Sequence, residues 1–115
     1  SDVMIKKNLP IVNGEMDIFD VIFKISNCGF GIAFLEQNKT LIGVITDGDI
    51  RRSLKDKKSF GGSKISDLVN KDFTYANLNS NLEEIKTVMR KNKIITLPVI
   101  DSDKKILGLI QFYDI

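Results

Sequence analysis

The sequence predicts a mixed α/β fold made of two βαββα units related by an internal repeat. Three observations predict it. Leu41–Ile45 is a continuous apolar, β-branched run, short enough for a strand buried on both faces, and at Thr46 it changes at once into the opening turns of a helix, Asp47-Gly48-Asp49-Ile50-Arg51-Arg52. Elsewhere, stripes of apolar residues at helical spacing are followed by pairs of short apolar runs. The chain also repeats itself: Gly43 and Gly108, Ile45 and Ile110, Asp49 and Asp114, and Ile50 and Ile115 all stand 65 residues apart, as do Ser1 and Ser66, Asp2 and Asp67, and Asn27 and Asn92. The helical stripes align better one residue off, which implies a single-residue insertion or deletion near the helix. Neither unit can bury its sheet alone, so the two should pair with pseudo-twofold symmetry.

In chain order, Ser1–Ile5 reads as a short helical lead-in, and Leu9–Val12 as a short apolar segment closed by the turn signal Asn13-Gly14. From Asp17 the residues Ile18, Val21, Ile22 and Ile25 form a helical stripe widened by Phe19 and Phe23, ending at Cys28-Gly29. Gly31–Leu35 is a strand, Gln37–Thr40 a hairpin turn, Leu41–Ile45 the next strand, and a helix runs from about Asp49 to Asp56. The polar, glycine-bearing stretch that follows is a loop between the halves. In the second half Phe73–Ala76 is a strand candidate, and Ser80 with Glu83 reads as a capping-box pair ahead of Leu82, Ile85, Val88 and Met89. Thr96–Ile100 and Ile106–Ile110 are strands around a turn at Asp101–Lys104, and Pro98 points to an edge or a strand start. Cys28 and the phenylalanines at 19, 23, 30 and 34 read as core or, for the phenylalanines, as an association surface. The repeats are thus residues 1–58 and 65–115, joined by a linker at 59–64, with the last helix of the second repeat cut short.

Composition narrows the function. At 115 residues with 43% hydrophobic and 28% charged residues the chain is one small globular module, and no apolar run nears the ~20 residues of a membrane helix. A formal charge of +2 from scattered lysines points away from nucleic acid, and no signal peptide is read at its start. A single cysteine fits a cytoplasmic setting, and the absence of histidine excludes serine–histidine chemistry and histidine metal sites in this chain. Asp47 beside Asp49 is a poor metal site, Asp101-Ser102-Asp103 lacks the glycine and distal glutamate of a calcium loop, and Gly61-Gly62 lacks the lysine and hydroxyl of a phosphate loop. No nucleophile–base pair is visible, so no residue is assigned a catalytic role and no metal or catalytic cofactor is expected.

The tandem pattern resembles a CBS-domain pair, or Bateman module. The residues that carry the resemblance are Gly43-Val44-Ile45-Thr46-Asp47-Gly48-Asp49-Ile50-Arg51-Arg52, Leu97-Pro98-Val99-Ile100-Asp101 and Leu107-Gly108-Leu109-Ile110. With Asp2-Val3-Met4 and Leu9-Pro10-Ile11-Val12 at the front, it is similar to the C-terminal tail of arabinose-5-phosphate isomerases, although Gln111 and Tyr113 stand where those tails commonly carry histidines. A sugar-phosphate nucleotidyltransferase carrying such a tail is the rival parent. The resemblance implies an N-terminal sugar-isomerase (SIS) domain as partner, association through the CBS modules into a homo-oligomer, and a regulatory adenosine nucleotide or a CMP-sugar as ligand. It also implies site residues. In the first cleft Asp49 would take ribose hydroxyls and Thr46 with the helix N-terminus would meet phosphate, which agrees with elementary chemistry, although both residues would equally serve as helix caps. In the second, Asp114 is kept but Gln111 replaces the small hydroxyl. Thr74-Tyr75-Ala76 and Ile11-Val12 would line the apolar slots for the base, or serve as short strands. The alternative role is an oligomerising scaffold without ligand.

Overall fold

A computed structural model describes residues 3–55 and 65–115. In chain order they form β1 (Ile11–Val12), α1 (Ile18–Cys28), β2 (Ile32–Gln37), β3 (Thr40–Thr46), α2 (Asp47–Lys55), a 3-10 turn (Ile65–Asp67), β4 (Ala76–Asn77), α3 (Leu82–Asn92), β5 (Thr96–Ile100), β6 (Ile106–Gln111) and a second 3-10 turn (Phe112–Asp114). The chain is α/β, and the βαββ order occurs twice. The linker expected at 59–64 and the lead-in residues Ser1 and Asp2 lie outside the described residues.

The chain divides into two compact units, Pro10–Phe73 and residues 3–9 with Thr74–Ile115. Each holds a three-stranded sheet: β1-β2-β3 in one, β4-β5-β6 in the other. The first pair in each sheet is parallel and the second antiparallel, with a bulge at Leu35/Glu36 and its counterpart at Val99/Ile100. A fourth contact closes each sheet. Asn70 exchanges both backbone hydrogen bonds with Val44 on β3, and Ile5 does the same with Leu109 on β6. The opening segment of each sequence repeat therefore completes the sheet made by the other repeat. This corrects the helical reading of the lead-in: Ile5 is an extended bridge residue. It also explains the repeated glycines, because a Cβ on Gly43 would meet Val69 and Asn70, and one on Gly108 would meet Met4 and Ile5.

The core of the Pro10–Phe73 unit gathers Val12, Ile18, Val21, Ile25, Leu35, Ile45 and Ile50, and that of the other unit gathers Ala76, Ile85, Met89, Leu97, Val99 and Ile110. Asp17 caps α1 in a reciprocal box with Asp20, and Gly29 closes the helix at φ 80°, its N–H donating to the Ile25 carbonyl. In β2–β3 the two turn residues Asn38 and Lys39 both have positive φ, the geometry whose twist matches a tight hairpin. The helices repeat at 64 residues, α1 beginning at Ile18 and α3 at Leu82 (82 − 18 = 64), which is the one-residue offset expected. The longer turn between β5 and β6 restores the spacing of 65.

Three local readings are corrected. Helix α3 is capped by Asn81, whose side chain accepts from the Glu84 N–H at 2.8 Å, because the Ser80 hydroxyl is already taken by the N–H of Asn77 at 3.1 Å. The strand near Phe73 begins only at Ala76, and Leu82 and Val88 are exposed, so α3 buries just Ile85 and Met89. Pro98 sits fully buried in the central strand. Its missing N–H is tolerated because Leu109 opposite sends its backbone groups to Ile5, and β4 pairs only from Val99 onward. Phe34 is wholly buried, Phe30 and Cys28 are half-buried, and Phe19 and Phe23 are exposed.

Candidate functional site

The junction of β3 and α2 is a continuous run of buried strand residues followed by a cap. Val44 and Ile45 are buried in the sheet, Thr46 ends the strand opposite Ile32, and the Asp47 N–H donates to the Gly31 carbonyl at 2.9 Å, which turns the chain into the helix. The Thr46 hydroxyl accepts from the Asp49 N–H at 3.1 Å, while Asp49 Oδ2 accepts from the Thr46 N–H at 3.0 Å. This reciprocal box satisfies one free donor at the helix start and fixes the Asp49 carboxylate. Beneath it Ile50 is buried and anchors the turn. A groove of about 410 Å³ runs alongside, between the end of α1 and the start of α2, lined by Ile22, Ile25, Gly29, Gly31, Asp47 and Ile50.

The second carboxylate oxygen of Asp49 accepts from the Arg52 guanidinium, and Arg51 pairs with Asp47 at 3.6 Å. The partnership of Arg52 with Asp49 was not anticipated from composition. Its signal is the Asp-x-x-Arg spacing, which sets the two side chains on one face of α2. The arrangement can do two things chemically. It presents a fixed, half-buried carboxylate beside the N-terminal N–H groups of a nine-residue helix, and it places an exposed cation against that carboxylate.

The counterpart in the other unit is different. Gln111 occupies the position of Thr46 but makes no side-chain capping bond, and Asp114 is exposed at the end of a 3-10 turn. Without a cap bond from Gln111 there is no reciprocal box here like the one that fixes Asp49. Of the residues expected to line the slots, Val12 and Ala76 are buried sheet residues paired with Leu35 and Val99. Ile11 and Thr74 are half-buried, and Tyr75 is exposed. Thr46 and Asp49 are brought together in one compact unit with Ile11 and Val12, whereas Thr74, Tyr75 and Ala76 belong to the other with Gln111 and Asp114.

Among the described residues no group of three or more His, Cys, Asp or Glu is placed to hold a metal ion. The Asp101 carboxylate is used within its own turn, accepting from the N–H groups of Asp103 at 2.8 Å and Lys105 at 2.9 Å. No described helix is long and apolar enough to cross a membrane.

A family model described as CBS domain matches residues 1–56 and again 65–115, together nearly the whole chain. The chain belongs to the CBS domain family. It is a CBS pair. Among curated relatives, an arabinose 5-phosphate isomerase KdsD of Francisella tularensis is 30% identical over 115 residues, covering 99% of this chain and 35% of that protein. An arabinose 5-phosphate isomerase GutQ of Escherichia coli K12 is 30% identical over 111 residues, covering 92% and 33%. The CBS pair thus spans about a third of the length of these relatives. Among solved structures, the CBS domain pair of protein MJ0100, in complex with 5′-methylthioadenosine and S-adenosyl-L-methionine, superposes with a TM-score of 0.85 at 18% identity, covering 98% of this chain and 88% of that one. CBSX2 in complex with AMP gives 0.81 at 24%, covering 98% and 89%. At these identities the likeness establishes the fold.

Proposed function

We propose that this CBS pair is a non-catalytic regulatory module that binds a nucleotide at the Thr46–Asp49 turn and controls an attached sugar-phosphate isomerase. The observation that carries the reading is the fixed Asp49 carboxylate beside the helix N-terminus, a pairing suited to a diol next to a phosphate. CBS pairs of the same fold hold AMP in one case and methylthioadenosine with S-adenosylmethionine in another, which supports an adenosine-bearing ligand. Relatives named arabinose 5-phosphate isomerases align over 92–99% of the chain, which supports that enzyme as parent over a nucleotidyltransferase and a SIS domain as neighbour. A CMP-sugar is the alternative ligand class, since it too joins a diol to phosphate.

Ligand acts by preference. A nucleotide that binds one arrangement of the attached domains better shifts the population toward it by its differential affinity. The first cleft is the stronger candidate because Gln111 leaves Asp114 without a partner cap. A thermal-shift screen of the chain against AMP, ADP, ATP, CMP, a CMP-sugar and arabinose 5-phosphate tests the reading. A ligand at a hundred times its dissociation constant adds about 2.7 kcal/mol. A rise in melting temperature that is lost in Asp49→Ala supports it, and silence across the panel contradicts it.

A second role rests on a different observation. Phe19 and Phe23 lie one turn apart on α1 and are 66% and 70% exposed, an apolar surface suited to self-association into a homo-oligomer.

A further inference from the structure

We infer that Arg52 makes the module discriminate a nucleotide from its unphosphorylated nucleoside, by holding Asp49 until a phosphate draws the guanidinium away. The inference rests on the nucleotide reading of the Thr46–Asp49 turn. Both oxygens of Asp49 have protein partners: Oδ2 the N–H of Thr46, Oδ1 the guanidinium of Arg52. A sugar diol that bridges this carboxylate competes for the open side of Oδ1 with the Arg52 guanidinium lying there. The backbone donor is fixed by the capping box, so Arg52 is the one that can leave.

Two features make Arg52 movable and aim it at phosphate. Its side chain is 73% exposed whereas that of Asp49 is 25% exposed, so the cation has room to leave while the carboxylate is held by the helix. The guanidinium also folds back across the first turn of α2. A Cβ built on Gly48 would lie 3.4 Å from Arg52 Nη1 and 3.7 Å from the Thr46 hydroxyl, which puts the cation beside the helix N-terminus. A phosphate there gives the planar fork a new bidentate partner in exchange for the carboxylate and frees Oδ1 for the diol. A nucleoside offers the released guanidinium only water. Arg51 is bound to Asp47, which takes no part in the box, and serves as the control.

The test is calorimetric titration of the chain with adenosine and with AMP, in the wild type, Arg52→Gln and Arg51→Gln. An exposed ion pair competes by about two- to fivefold, and a charged hydrogen bond to phosphate contributes about tenfold or more. Arg52→Gln should therefore bind adenosine about two- to fivefold tighter and AMP about two- to fivefold weaker, cutting the preference for AMP about tenfold, while Arg51→Gln keeps the wild-type ratio. An Arg52→Gln ratio equal to wild type overturns the inference and leaves the nucleotide reading standing. Wild type that binds neither compound overturns both.

Discussion

Replacing Gly43 with alanine removes the space through which the opening segment of the second repeat crosses β3. The added Cβ would overlap the Val69 side chain and stand 2.7 Å from the Asn70 carbonyl oxygen. Val69 can rotate, but Asn70 is backbone, tied to Val44 by hydrogen bonds of 3.0 and 2.8 Å. Relief requires the segment to withdraw, which weakens both bonds at about 0.5–1.5 kcal/mol each, or else leaves an overpacked contact costing about 1–3 kcal/mol. A loss of about 1–3 kcal/mol is expected, lowering the melting temperature by roughly 4–12 °C for a domain of this size. Circular dichroism melts and urea titrations read it directly. Gly14→Ala is the control, since nothing lies within 4 Å of the Cβ it would carry, and it should stay within about 0.5 kcal/mol of wild type. Gly108→Ala should behave like Gly43→Ala, because Ile5 crosses β6 as Asn70 crosses β3. Gly43→Ala melting within 2 °C of wild type, a margin of about 0.5 kcal/mol, would refute the crossing contact.

Other substitutions probe separate features. Lys39→Gly should stabilise the chain by about 0.5–1 kcal/mol, because Lys39 sits at φ 63° in a tight hairpin turn that glycine enters without strain; equal or lower stability in urea contradicts the turn assignment. Ser53 is buried on α2 and its hydroxyl has no hydrogen-bond partner among the described residues, so Ser53→Ala should raise stability by about 1 kcal/mol in the same titration. Phe23→Glu places a charge in the exposed aromatic pair of α1. Light scattering should then show a smaller particle than wild type at equal concentration, and identical masses remove α1 from the association surface.

Much of this fold is legible in the sequence because the signals are local. The run Leu41–Ile45, the Cys28-Gly29 stop and the acids after Thr46 each specify their element within a few residues, and the repeat of Gly43 and Gly108 predicts the symmetry. What those glycines are for is not local. It depends on Asn70 and Ile5 arriving from elsewhere in the chain, which is also why the lead-in near Ile5 reads as helix and is extended. The cap of α3 is misplaced by one residue because Ser80 and Asn81 are both good caps, and the choice was made by Asn77, which takes the serine hydroxyl. Pro98 reads as an edge residue since periodicity does not reveal that its neighbour β4 is only two residues long. At the candidate site the pairing of Thr46 with Asp49 follows from their spacing, and the missing side-chain cap at Gln111 accompanies its replacement of the small hydroxyl. That Arg52 is engaged by Asp49 does not follow from spacing alone, since it required the guanidinium to fold back along the helix.

Nucleotide binding at the Thr46–Asp49 turn can be located residue by residue. An amide chemical-shift titration of the chain with AMP tests it most directly, because it reports position as well as affinity. Saturable shifts are expected at the amides of Thr46, Asp47, Gly48 and Asp49, with smaller ones at Gln111–Asp114 and loss of the first set in Asp49→Ala. Saturable shifts that leave Thr46–Asp49 unmoved, or no shifts at millimolar AMP, would contradict it.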